Sequence, residues 1–170
     1  MYSIRVEITV KPAPVAGQIL VEAEDAEELK GEETPSGVMV SRDGSGWGGS
    51  TVHSGSAYVM FYGVSDELTL TYKFNATSAG TMALSVVGSA PMSMGGEAAA
   101  YPLSSLNLKI NGNAVTVPET AEFPAPEGWS ATMEEVDAGN VTVKAGENTL
   151  TITLSETFPS LDVFKLSTLK

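Results

Sequence analysis

Apolar and polar residues alternate with a period of two along most of the chain. Ile4, Val6, Ile8 and Val10 share one face of an opening segment, with Arg5, Glu7, Thr9 and Lys11 on the other. Successive side chains of a strand point to opposite faces of its sheet, so this pattern predicts a half-buried strand. "KPAPVAG" at 11–17 ends it, because proline has no N–H to give a ladder and fixes its own φ. Residues 1–17 therefore read as a strand plus linker, either the end of an upstream domain or an edge strand laid on the remainder of the chain. Residues 18–170 read as one domain.

Within that domain the alternation predicts strands at 19–25, 37–42, 57–62, 67–75, 80–88, 106–111, 114–118, 131–136, 140–144, 149–154 and 161–167. "NGN" at 111–113 is a tight hairpin signal, and "SAG" at 78–80 and "KAGEN" at 144–148 are further turns. Only "DAEELKG" at 25–31 suggests a short helical turn. The fold class expected is all-β, a β-sandwich of jelly-roll type with function carried on long loops.

Composition narrows the chemistry. A chain of 170 residues can bury roughly 70% of its unfolded surface in one core. The absence of cysteine excludes disulfides, thiol catalysis and thiolate metal sites. A formal charge of −12 with a pI near 4.3 opposes nucleic acid and anionic membranes and suits a hard cation. No basic segment leads into an apolar one, and no run of 18 apolar residues exists, so neither a signal peptide nor membrane insertion is expected of this sequence. With 17 Gly and many Ser and Thr, it reads as a module of a secreted or cell-surface bacterial protein.

Two loops exceed what connection requires: 41–56, glycine-rich with Trp47 at its middle, and 88–105, rich in small residues and containing Tyr101. Enzymatic constellations fail. His53 is the single histidine, with no nucleophile-elbow or zinc motif around it. Glu22 and Glu24 of "VEAEDAEEL" would point the same way from one strand, about 7 Å apart by strand rise, whereas a glycosidase pair must flank the sugar from separate sides. No catalytic activity is expected. Such a pair can contribute to a calcium shell of six to eight hard oxygens, or it can keep a solvent-facing strand soluble. Spacing alone leaves both open.

"ILVEAEDAEELKG", "SGSAYVMFYGVSDELTLTYKFNATSAGTMALSVV", "LNLKINGNAVTV", "PEGWSATMEEVDAGNVTVKAGENTLTITL" and "FPSLDVFKL" follow one another in order. Together they resemble the landmarks of carbohydrate-binding modules of families 6 and 35: a Glu-x-Glu strand, a Gly-rich segment, an "sAGtY"-like turn, an "NG" hairpin, an "aGxNtI"-like turn and an "N-hydrophobic-Asp" last strand. The likeness covers about residues 19–168.

The resemblance implies a galactose-binding-like β-jelly-roll, non-catalytic, with a structural calcium joining the first and last strands. By position, Glu22, Glu24 and Asp162 match its carboxylate ligands, with carbonyls near Ser54 and Gly55. The implied partner is a polysaccharide or glycan, met by aromatic platforms at Trp47 and Trp129 and by Tyr101, Ser160 and Arg42, in a module of a larger multimodular protein. Ser160 replaces the family's Asn, Met82 stands where its turn places an aromatic, and the 88–105 loop lacks both Trp and Arg. The alternative function is a protein-interaction or spacer module that keeps the calcium-stapled sandwich without glycan binding.

Overall fold

A computed structural model describes residues 17–42, 57–62, 64, 66–91, 98–126, 132–155 and 159–169. Residues 1–16, where the sequence predicts a strand and linker, lie outside them. The described chain forms β1 (Gln18–Glu22), β2 (Val38–Ser41), β3 (Tyr58–Phe61), β4 (Leu68–Ala76), β5 (Gly80–Ser89), β6 (Tyr101–Pro102), β7 (Lys109–Ile110), β8 (Asn113–Ala114), β9 (Glu122–Phe123), β10 (Glu134–Val143), β11 (Gly146–Leu154) and β12 (Ser160–Ser167). Three 3-10 turns, Ala23–Asp25, Glu27–Leu29 and Leu103–Leu106, are the helical structure among the described residues.

The larger sheet runs β10-β5-β12-β3-β2, with β1 also paired to β12; the smaller runs β4-β11-β7-β8, and β6 with β9 makes a short ribbon. Every pairing is antiparallel. This is a β-sandwich jelly roll, and the alternation built it. In β11, Leu150, Ile152 and Leu154 are buried while Thr149, Thr151 and Thr153 face outward beside Lys73, Thr71 and Thr69 of β4. The threonine hydroxyls of 69 and 153 meet at 3.0 Å. Met82, Leu84 and Val86 of β5 and Leu161, Phe164 and Leu166 of β12 face the same core. Each such burial is worth about 1.5–3 kcal/mol.

Near the start of β12 the larger sheet is apolar on both faces. Tyr58, Met60, Val87, Met133 and Val163 form a second cluster on the side away from the main core. Leu161 and Phe164 therefore meet one core and Val163 the other.

The boundaries differ from the sequence reading where non-local pairing decides them. The strands expected at 131–136 and 140–144 are one strand, β10, bent by a bulge where Asp137 pairs with Ser85 and Gly139 with Leu84. Asp137 Oδ1 accepts the Gly139 N–H at 2.8 Å, and Gly139 adopts φ +96°, open to glycine at little cost. The strand expected at 106–111 shrinks to Lys109–Ile110 after a 3-10 turn, and 114–118 to Asn113–Ala114.

Phe123 fills the place a side chain would take at position 88. A Cβ added to Gly88 would stand 2.7 Å from the Phe123 ring and 2.5 Å from the Ser160 carbonyl oxygen. Gly88→Ala is therefore expected to cost about 1–3 kcal/mol by overpacking. The urea unfolding midpoint reads this directly, and an unchanged midpoint would contradict the packing described.

Candidate functional site

Strand β12 offers one edge to two partners in succession. β1 pairs with Val163–Ser167 and β3 with Leu161, so the edge changes hands at Asp162. On its other edge β12 is bulged at the same residue: Leu161 pairs with Gly88 and Val163 with Val87, leaving Asp162 as the extra position. Asp162 is fully buried.

Glu22, opposite Val163, is the last residue of β1. The chain then leaves the sheet through the 3-10 turn Ala23–Asp25, which packs against β12 and β3. This corrects the expectation that Glu22 and Glu24 project side by side from one strand: β1 cannot continue past Glu22 because β3 takes over the edge, and Glu24 lies in the turn. Beneath it, Tyr72 is fully buried, packs its ring against Phe164 at 5.0 Å and donates its hydroxyl to the Ala23 carbonyl at 3.2 Å. Burial first, then Glu28, Glu24 and Asp25, push the Tyr72 pKa far up, so it stays a neutral donor. Glu28 Oε2 accepts the Thr71 N–H at 2.7 Å and ties the second turn to β4.

The carboxylates share one field. Burial holds Glu24 above the ordinary carboxylate range; a backbone hydrogen bond pulls it down, and Glu22, Asp25 and Asp162 push it up again. The charges acting on it are all carboxylates. Glu24 Oε2 is buried and accepts no hydrogen bond. Glu22 Oε2 and Asp162 Oδ1 are also buried atoms that accept none, although both residues have interactions of their own. Buried oxygens of like charge without donors are costly, and a hard cation is the group that fits them. Among the described residues, no three acidic or histidine side chains stand together as a preformed cage. The carboxylates bring charge to the junction without closing a shell.

Ser54, Gly55, Trp47 and Trp129 lie outside the described residues. Arg42 is exposed just beyond β2 and has an interaction of its own. Ser160 is half-buried at the start of β12, opposite Ser89. Tyr101 is a correction: it is 2% exposed in the β6–β9 ribbon, its ring stacked on Phe123 with centroids 6.4 Å apart. It is a core residue and offers no face to a ligand. Burial also raises its pKa.

Tyr62 was missed. It is 62% exposed, directly after β3, with its N–H donated to the Gly37 carbonyl. Continuing the pairing of Val59 with Leu161 places Met60 level with Ser160 and Tyr62 two residues beyond, at the same end of the sheet. The signal was in "YVMFY": Tyr58, Met60 and Tyr62 share the face opposite Val59 and Phe61, and only the last of that column runs out from under cover.

No family model and no curated protein matches this chain. Solved structures do. A family 35 carbohydrate-binding module from Clostridium thermocellum superposes with a TM-score of 0.58 at 22% identity, over 89% of this chain and 98% of that one. The fold is that of a carbohydrate-binding module. The Podospora anserina GH26-CBM35 β-(1,4)-mannanase gives a TM-score of 0.56 at 23% identity over 91% of this chain, which spans 28% of the mannanase. The CBM36-1 domain of a multidomain xylanase from the hindgut metagenome of Trinervitermes trinervoides gives 0.51 at 16% identity, over 91% of this chain and 99% of that one.

The Glu24 environment sets a pH dependence for the metal-free module. A carboxyl whose pKa is higher folded than unfolded binds more protons in the native state, so stability falls as pH rises from the ordinary value of 4.5 through the raised one. Glu24→Gln should flatten this decline in urea midpoints measured across pH in chelator. Parallel curves for the two proteins would show that the burial is not felt.

Proposed function

We propose that this chain is a non-catalytic carbohydrate-binding module that holds a larger secreted or cell-surface protein on a polysaccharide or glycan. The observation that carries the reading is Tyr62, an aromatic ring exposed directly after β3 at the Ser160-bearing end of a sandwich with this fold. Sugar C–H faces are apolar and stack on an aromatic ring as water leaves both surfaces, while hydroxyl and amide groups beside it read the sugar's own hydroxyls. Trp47 and Trp129 are the further platform candidates in this reading, since they lie next to β2, β3 and β10 in sequence.

A structural calcium belongs to the same proposal. Glu22, Glu24 and Asp162 would hold it with backbone carbonyls near Ser54 and Gly55, and its charge would relieve the repulsion at the β12 junction. The metal takes no part in chemistry here; it fixes the turn after β1 against the last strand. The side chains themselves orient the site: Asp162 through the bulge, Glu24 through the turn supported by Tyr72.

A glycan array probed in calcium is the test. Binding to a defined glycan class is expected, with Tyr62→Ala weakening it about five- to a hundredfold, equivalent to roughly 1–3 kcal/mol for an aromatic anchor. The melting temperature should hardly move, because Tyr62 is 62% exposed. A wild-type module that binds no glycan in calcium would favour the spacer function. Glycan binding that survives Tyr62→Ala would move the site to another surface.

A further inference from the structure

The "NGN" hairpin does more than turn the chain. Asn111 and Gly112 join β7 to β8 with φ of +50° and +80°, the positive pair that a two-residue type I′ turn requires. Asn111 extends the pairing of β7 with β11 by one step. Its N–H donates to the Thr149 carbonyl at 2.8 Å, and its side-chain Oδ1 accepts the Thr149 N–H at 3.0 Å. Its Nδ2 donates to Asn148 Oδ1 at 2.8 Å. Asn148 is 1% exposed and saturated: Oδ1 also accepts the Lys144 N–H at 2.9 Å, and Nδ2 donates to the carbonyls of Lys144 at 2.8 Å and Gly146 at 2.9 Å.

We propose that Asn111 is a deamidation site, held unreactive by its clasp with Asn148 and Thr149, whose product cannot close that clasp again. Asn–Gly is the dipeptide in which the next amide nitrogen is least hindered, and it occurs in this chain only at 111–112. In the reaction the Gly112 nitrogen attacks Asn111 Cγ and forms a C–N bond. Nδ2 leaves as ammonia, taking up the proton lost from the Gly112 nitrogen. Water then opens the succinimide at either carbonyl, giving aspartate or its β-linked isomer. To bring Cγ over the Gly112 nitrogen, the side chain must abandon both Asn148 and Thr149, so the hairpin has to open first.

Closure is then denied to the product. Aspartate has no Nδ2 donor and turns an anionic oxygen toward Asn148 Oδ1. Asn148 cannot flip to meet it, because its own Nδ2 is held by two carbonyls. The β-linked isomer adds a methylene to a two-residue turn and throws the β7–β8 register out. Local opening of this hairpin is thereby recorded as an irreversible chemical change.

The test incubates the whole chain in mildly alkaline buffer, native and in denaturant, and follows amide-to-acid conversion at Asn111 by peptide mapping. Conversion is expected at least about tenfold faster in denaturant, as for a group that reacts only from the open state. Equal rates would overturn the gating, and no conversion in denaturant would overturn the site. Material partly converted in denaturant is then refolded and challenged with protease. The cleaved pool should be enriched in residue-111 acid; equal acid content in cleaved and resistant pools would overturn the claim that the product cannot reclose.

Discussion

The like charge that Glu22 and buried Asp162 turn on half-buried Glu24 is the constraint that the junction of β1 with β12 has to meet. Glu22 ends β1, Glu24 sits in the turn after it, and Asp162 is the bulged residue of β12, at the point where β12 exchanges one edge partner for another. Like charges repel more strongly away from bulk water, and an ordinary domain has only about 5–15 kcal/mol of stability to set against such repulsion. A fold that keeps such a junction has to offset the repulsion. In the reading proposed here a calcium ion does so, and the junction becomes the clamp that joins the first strand, the third and the last.

The start of β12 is held by two kinds of contact. At the carboxylate junction the structure depends on charge, with Tyr72 and Phe164 packed beneath as a rigid floor. Toward the Ser160 end it depends on close apolar contact: Phe123 occupies the space left by Gly88, and Tyr101 stacks on Phe123. On the other face of the larger sheet Tyr62 continues the column of Tyr58 and Met60 and emerges as an exposed ring. Across the smaller sheet, the saturated amide of Asn148 pins two turns at once.

Much of the fold was legible in the sequence because a sheet with one dry and one wet side writes period-2 alternation into strands such as β4 and β11. What was not legible depended on partners far away in the chain. Nothing near Glu22 says that β1 must stop there; the reason is β3, competing for the same edge of β12. Tyr101 looked like a loop residue because its strand is two residues long and exists only through Phe123 and Glu122. Tyr62 was absorbed into a strand reading, although its place in the outer column of β3 could have marked it. The carboxylates were picked out as a set, but their burial came from the bulge and the turn, which alternation does not encode. Solved structures share this fold at 16–23% identity.

Calorimetric titration of calcium into chelator-stripped protein, with thermal melts before and after, tests the central claim most directly. The account predicts saturable binding and a stabilisation of about 4 kcal/mol at a thousandfold excess over Kd. It also predicts that Asp162→Asn loses both, since Asp162 is the buried carboxylate at the strand exchange. Absence of calcium binding, with a melting temperature indifferent to chelator, would contradict it.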